Sequence, residues 1–435
     1  MQPSKPLTLR RNFSWTFVGK SVYTASQWAM LVIIAKLGSP EMVGQFTLGL
    51  AVTAPVFMLT NLQLRAIQAT DTQQQYFFRD YLGLRLISTA LALVVISAIT
   101  LVAGYPWETL FIIWLVALSK AIESISDVFY GLIQQHERMD RIAMSLMMRG
   151  PLSLLMLGIG IYLSGNILGG VIGLAVSWAI VLVSYDIRSG ASILNNSLAA
   201  RQLGELTERK PSAILHPRWH LKTLGKLIEL AFPLGLVMML ISLNSNMPRY
   251  FIERSLGERE LGFFASIAYL MVAGNMVVSA LGKSATPRLA KYYAAGNSTA
   301  FRQLLIKLVG IGAVLGGLAI LVALVAGRQI LTLFYQPEYA QHADLLVWLM
   351  IAAGIGYISS FLGYGMTAAR YFRIQIFLFA STTTTSAVAC FWLIPNLGLI
   401  GAGFSLLIAA IVQVVISLII VIDALNKLQK LREGL

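Results

Sequence analysis

WETLFIIWLVALSKAIESISD (107–127) decides how this chain is built. Its first twelve residues are apolar except for Glu108 and Thr109, and they read as a helix too greasy to face water. Lys120, Glu123 and Asp127 then follow at i, i+3 and i+7, on one helical face. A charged side chain at the centre of a membrane helix costs about 2.5–3.5 kcal/mol on insertion scales, so such a face belongs toward a protein interior or a water-filled cavity.

The same apolar pattern recurs along the chain. Of 435 residues 57% are hydrophobic and 12% charged, and a soluble domain carries roughly twice that charged fraction. Runs of about twenty apolar residues suffice to cross the hydrocarbon core as helices. We read twelve spans, near 13–36, 42–63, 83–104, 107–130, 143–163, 168–187, 224–246, 262–282, 304–326, 344–366, 373–394 and 399–422. The expectation is an all-α, multi-pass membrane protein. The apolar run after Lys5, Arg10 and Arg11 is longer than the core of a signal peptide, so the first span is expected to stay.

Basic residues orient the set, because Lys and Arg near span ends resist translocation. With the N-terminus inside, the inner side collects 26 of the 33 Lys and Arg, the outer side five, and Lys20 and Lys120 lie within spans. Both termini are therefore expected to be cytoplasmic. The net charge of +14 reads as a face toward anionic membrane lipids; no soluble basic domain exists to hold nucleic acid. The lone Cys390 excludes an intrachain disulfide, and four scattered histidines show no metal-ligand spacing.

The chain also reads as built twice. LGSPEMVGQF (37–46) matches LGERELGFF (256–264), YGLIQQHERMDRI (130–142) matches YGMTAARYFRI (364–374), and LGGVIG (168–173) matches LGLIG (397–401). The matches keep their order and their membrane face. They imply two six-helix lobes, 1–200 and 201–435, around a central cleft, joined through the polar stretch 188–222.

NFSWTFVGK (12–20), LGSPEMVGQF (37–46), NLQLRAIQATD (61–71), AFPLGLVMMLISLNSNMPRYFIERSLG (231–257), KSATPRLAKYYAAG (283–296) and LFYQPEYA (333–340) carry a family likeness. Through them the chain resembles, over nearly its whole length, the Wzx-type flippases of the MOP (multidrug/oligosaccharidyl-lipid/polysaccharide) superfamily. That resemblance implies a MATE-like fold in a bacterial inner membrane. It also implies a lipid-linked oligosaccharide, usually on undecaprenyl diphosphate, as cargo for O-antigen or exopolysaccharide synthesis. Glycosyltransferases and a polysaccharide polymerase are implied as partners.

A diphosphate head cannot cross hydrocarbon unaided, so the cargo calls for a hydrated, cationic path. Lys20 and Lys120 are the candidates for phosphate, with Arg65 behind Asn61 at the inner mouth. Glu123 and Asp127 are candidates for charge pairing or for H+ or Na+ coupling; no other cofactor is implied. Two readings of the SKAIESISD charges stay open: they line the cleft, or Lys120 and Glu123 neutralise each other while Asp127 reaches the head groups. Ser242, Ser245, Asn246 and Arg249 share a face at the outer end of span 7, where they suit sugar and diphosphate, or Arg249 pairs with Glu253 at i+4. Lys283 and Arg288 follow span 8 as substrate or topology cations. Pro233 and Gly235 inside span 7 suggest a hinge. STTTTS (381–386) and GAVLG (312–316) read as packing devices.

A cation-coupled multidrug antiporter would share the twelve spans, and such exporters commonly hold an acid in span 1, where this chain has Lys20. A membrane polymerase or ligase would need catalytic groups on a sizeable outer loop. The outer loops are short, and no enzyme activity is expected.

Overall fold

A computed structural model describes residues 9–71, 75–202 and 216–433. The middle of the expected joint, 203–215, and Lys5 lie outside the described residues. Within them the chain is helical, without a strand. The N-terminal helices are α1 (Leu9–Leu37), α2 (Pro40–Thr60), the short α3 (Leu64–Thr70), α4 (Phe78–Ala103), α5 (Trp107–Gln135), α6 (Met139–Ser164) and α7 (Ile167–Val181). A π-helical turn, Leu182–Asp186, leads into α8 (Ile187–Gln202). Then follow α9 (Leu221–Leu256), α10 (Glu258–Tyr269), α11 (Met271–Ala294), α12 (Ser298–Phe334), α13 (Ala343–Ala368) and α14 (Phe372–Glu433).

Helix boundaries follow local chemistry. Ser39 accepts from the Met42 amide at 3.4 Å with Pro40 at the first helical position, so α2 starts there. Asn166 and Asn297 cap α7 and α12 in the same way, accepting from Gly169 at 3.1 Å and Ala300 at 2.9 Å.

Ten helices among the described residues are long and apolar enough to cross a membrane. The last, Ile374–Leu428, carries two of the twelve expected spans. α14 is two helices that meet at a kink at Gly398, whose φ of 60° and ψ of −140° are not helical. The remaining expected span, 13–36, falls on α1, whose 29 residues include Lys20 and which is not among those ten.

Close packing divides the chain into two compact units, Met1–Met239 and Leu240–Leu435. In the first, Tyr81, Phe129, Ile133 and Leu64 form a core that also takes Leu224, Leu227 and Ala231 from the start of α9. Pro233 sits inside continuous α9 helix. A Cβ on Gly235 would stand 2.7 Å from the Leu59 carbonyl oxygen, so α9 approaches the end of α2 closely at this glycine. Ahead of α9, the lead-in docks on the start of α4. The Arg79 guanidinium donates to the His216 carbonyl at 2.8 Å, and the Arg218 amide donates to the Arg79 carbonyl at 3.0 Å.

In the second unit, Phe301, Leu305, Tyr357, Phe361 and Val421 form the core. GAVLG is a packing groove: a Cβ on Gly316 would come within 2.5 Å of the Gly354 Cα on α13. STTTTS is also packing. The Thr382 hydroxyl donates to its own helix at Leu378, and Thr383 donates to the Leu240 carbonyl at 3.2 Å.

The two units repeat a helix ending. At the end of α5 the amides of His136, Glu137 and Arg138 donate to the carbonyls of Leu132, Gln134 and Ile133. At the end of α13 those of Ala369, Arg370 and Tyr371 donate to Gly365, Thr367 and Met366. Glu137 (φ 54°) and Arg370 (φ 63°) are both left-handed. Their separation of 233 residues (370 − 137) differs by one from the offset between Tyr130 and Tyr364.

Candidate functional site

A cavity of about 510 Å³ lies within the first unit. It is lined by Lys20 of α1, by Asn61, Gln63 and Arg65 at the α2–α3 break, and by Lys120, Glu123, Ser124 and Asp127 of α5. Five of the residues singled out in the sequence therefore meet in one place: Lys20, Arg65, Lys120, Glu123 and Asp127. The volume is in the ordinary range for small-molecule sites.

Two local features build it. The i, i+3, i+7 spacing sets Lys120, Glu123 and Asp127 on one side of α5. Opposite them, α2 stops at Thr60, and Leu62 and Gln63 both adopt φ of 51°. Left-handed backbone is uncommon outside glycine, and two consecutive cases mark a tight redirection of the chain. That turn leaves Asn61 and Arg65 both facing α5 across the break.

The charges interlock. Lys120 Nζ lies 2.8 Å from Glu123 Oε2 and 5.3 Å from the centre of the Trp178 ring, while the Tyr23 hydroxyl donates to Glu123 Oε1 at 3.1 Å. Lys120 and Glu123 thus neutralise each other and line the cavity at once. Asp127 binds two guanidiniums instead of reaching outward. Oδ1 is 3.4 Å from Arg65 Nη1, and Oδ2 is 3.2 Å from Arg85 Nη2. Arg65 also donates to Gln134 Oε1 at 3.0 Å and stacks over Tyr130 at 5.4 Å. Asn61 Oδ1 accepts from Arg85 Nη1 and, at 2.9 Å, from Ser124.

The balance of charge is cationic. Lys20, Arg65 and Lys120 line the cavity, and Arg85 stands behind it on Asp127, against two carboxylates, Glu123 and Asp127; four minus two leaves +2. An oligoanion is the ligand class this suits.

Behind the cavity lies a second layer that the sequence reading does not contain. Arg149 of α6 and Asp186 pair at 2.8 Å with neither side chain exposed. Arg149 Nη2 also donates to Ser126 at 2.5 Å, and its guanidinium stacks over Tyr130 (5.7 Å) and Trp178 (5.5 Å). Ser145 donates to Asp186 Oδ1 at 2.6 Å and bonds the Tyr130 hydroxyl at 2.7 Å. Asp186 ends the π-helical turn, a feature that re-aims side chains and recurs at functional sites. Arg85 and Arg149, two of the 26 basic residues on the expected inner side, both fall inside expected spans, 83–104 and 143–163. That position is the signal that could have found them.

The remaining candidates, Asn246, Arg249 and Lys283, belong to the second unit and are not among the residues that line this cavity. Asn246 is buried, donates to the Ser242 carbonyl at 2.8 Å and accepts from Arg249 Nη1 at 2.5 Å. Arg249 therefore turns to Asn246 rather than to Glu253. Ser245 is exposed and donates back to Ile241 at 2.9 Å. Lys283 is exposed on α11, and Arg288 donates to the Tyr292 hydroxyl at 2.9 Å. Among the described residues no group of His, Cys, Asp and Glu could hold a metal.

No family model matches the chain. It is 26% identical over 407 residues to the capsular polysaccharide biosynthesis protein CapF of Staphylococcus aureus, covering 93% of this chain and 97% of that protein. Its fold matches the inward-facing conformation of a multidrug resistance MATE family transporter of the MOP superfamily. There the TM-score is 0.65 and the identity 13%, over 95% of this chain and 99% of that one. It also matches a point mutant of the Vibrio cholerae MATE transporter VcmN, with a TM-score of 0.63 and 18% identity over 96% and 97%. The chain is a multi-pass helical membrane protein, and its fold is that of the MATE family transporters of the MOP superfamily.

Proposed function

We propose that the protein is a flippase for lipid-linked oligosaccharide of the undecaprenyl diphosphate type. It carries the head group from the cytoplasmic to the outer leaflet of a bacterial inner membrane, with both termini cytoplasmic. The observation that carries this reading is the cation excess of the cavity: Lys20, Arg65, Lys120 and Arg85 against Glu123 and Asp127. A diphosphate is the part of such a cargo least able to enter hydrocarbon, and buried cations repay that cost. The likeness to a capsular polysaccharide biosynthesis protein supports the polysaccharide side of the reading.

Transport proceeds by alternating access of the repeated halves, 1–200 and 201–435, with Pro233 and Gly235 of α9 as the flexing segment. Asn246, Arg249 and Lys283 contact the cargo at other stages of its passage. Glu123 and Asp127 are the groups through which an H+ or Na+ gradient would act. Glycosyltransferases supply the substrate and a polysaccharide polymerase consumes it.

Depletion of the protein in an encapsulated host tests the reading. Lipid-linked repeat units should accumulate on the inner leaflet while surface polysaccharide falls. Drug hypersensitivity with normal surface polysaccharide would instead identify a multidrug antiporter.

A further inference from the structure

We infer that Arg65 and Arg85 form a diphosphate clamp, and that the Asp127 carboxylate occupies it as an internal stand-in for phosphate until the anionic head group displaces it. This rests on the cargo proposed above and adds to it a binding residue, Arg85, and a displacement step at Asp127.

The clamp's geometry is that of a placeholder. Each oxygen of Asp127 touches a different guanidinium, at 3.4 Å for Arg65 and 3.2 Å for Arg85. Charge-assisted bonds of this kind are normally about 2.7–2.9 Å, and guanidiniums prefer paired, parallel donation to one group. Neither preference is met. Lys120 and Glu123, one turn away, reach 2.8 Å, so the looseness is particular to Asp127.

Arg85 supplies the second argument. Its side chain is fully buried inside a membrane span, yet its Nε has no hydrogen-bond partner, and the carboxylate it meets is Asp127. A buried donor left unmade is costly. A diphosphate offers more acceptor oxygens than a carboxylate and can satisfy both guanidiniums together. Asp127, by contrast, is 29% exposed and lines the cavity, so its side chain has room to leave.

Charge gives the third. Lys20, Arg65 and Lys120 line the cavity and Arg85 stands behind Asp127, so cations outnumber the carboxylates Glu123 and Asp127 by four to two and an anion meets an excess of +2 even with the Asp127 carboxylate close by. Asp127 competes with the ligand. It also lowers the cost of the empty clamp and helps expel the cargo when it returns.

The test uses the full-length protein purified in detergent, titrated with inorganic pyrophosphate, farnesyl diphosphate and farnesyl monophosphate. Asp127→Asn should bind farnesyl diphosphate at least tenfold more tightly than the unaltered protein, about 1.4 kcal/mol. Adding Arg65→Gln should cancel that gain, and Asp127→Glu should stay within threefold of the unaltered protein. Equal or weaker binding by Asp127→Asn overturns the inference while leaving the proposed cargo standing if the unaltered protein binds. Absence of binding in both proteins overturns the inference and the cargo together. A gain seen equally with pyrophosphate assigns recognition to the phosphates alone; a gain confined to farnesyl diphosphate assigns it to the prenylated head group, and either supports the clamp. If Asp127→Asn is not recovered folded, Arg65→Gln alone must weaken diphosphate binding at least tenfold, and unchanged binding overturns the clamp.

Discussion

Arg149 and Asp186 bind each other at 2.8 Å, from α6 and from the π-helical turn after α7, with no solvent reaching either side chain. The pair sits behind the cavity and fixes its back wall through Tyr130, Trp178 and Ser126. Removing one partner of a buried pair strands a charge and costs about 3–5 kcal/mol, whereas replacing both by apolar residues is often neutral or better. Arg149→Met and Asp186→Leu should each lower the melting temperature and the yield of folded protein. The double variant should regain most of both. Equal damage in all three would show that the pair does more than anchor the wall.

Lys20 and Lys120 approach the cavity from different helices, and the loss of Lys20 should be felt in transport rather than folding. Lys20→Ala should reduce surface polysaccharide at least tenfold at normal protein levels, and Lys20→Arg should retain most of it. Lys120→Ala also leaves Glu123 without its 2.8 Å partner, so Lys120→Ala with Glu123→Gln should fold better than Lys120→Ala alone. Immunoblots of membrane fractions beside polysaccharide assays separate the two effects.

Gln63 holds φ of 51° at the break between α2 and α3. Glycine adopts that conformation without steric strain, which at other residues costs on the order of 1 kcal/mol and exceeds the entropy a glycine loses on folding. Gln63→Gly should therefore raise the melting temperature slightly. A fall would show that the Gln63 side chain, which lines the cavity, contributes more than its backbone costs.

Gly316 approaches Gly354 so closely that any Cβ must displace backbone. Gly316→Ala should destabilise by about 1–3 kcal/mol, the usual cost of overpacking. Gly317, whose Cβ would meet open space, is the control, and Gly317→Ala should be close to neutral. Thermal melting of both variants checks the difference.

Much of this is legible in the residues, for physical reasons that can be named. Hydrocarbon demands long apolar helices, so the apolar runs lead to the span count, and the expected break between 394 and 399 coincides with the kink at Gly398. The charges at 120, 123 and 127 stand out because helical spacing places them on one face of an apolar segment. Arg65 and Lys20 can be joined to them by depth in the membrane. Arg85 escapes notice because it lies two residues inside its expected span, where an arginine ordinarily extends to the head groups. Arg149 lies six residues inside 143–163, a depth at which an arginine is itself a signal. Nothing in one sequence says that Arg85 turns inward to Asp127, since that contact joins residues 42 positions apart. The π-helical turn that aims Asp186 is likewise set by packing, not by a local motif.

Translocation of a fluorescent lipid-linked oligosaccharide in proteoliposomes bears most directly on the cationic cavity as the path of the cargo. Protein with Lys20 and Lys120 intact should move the head group to the opposite leaflet, and the Lys20→Ala, Lys120→Ala double variant, folded and inserted to the same extent, should not. Equal rates for the two proteins would contradict the claim that this cavity carries the diphosphate.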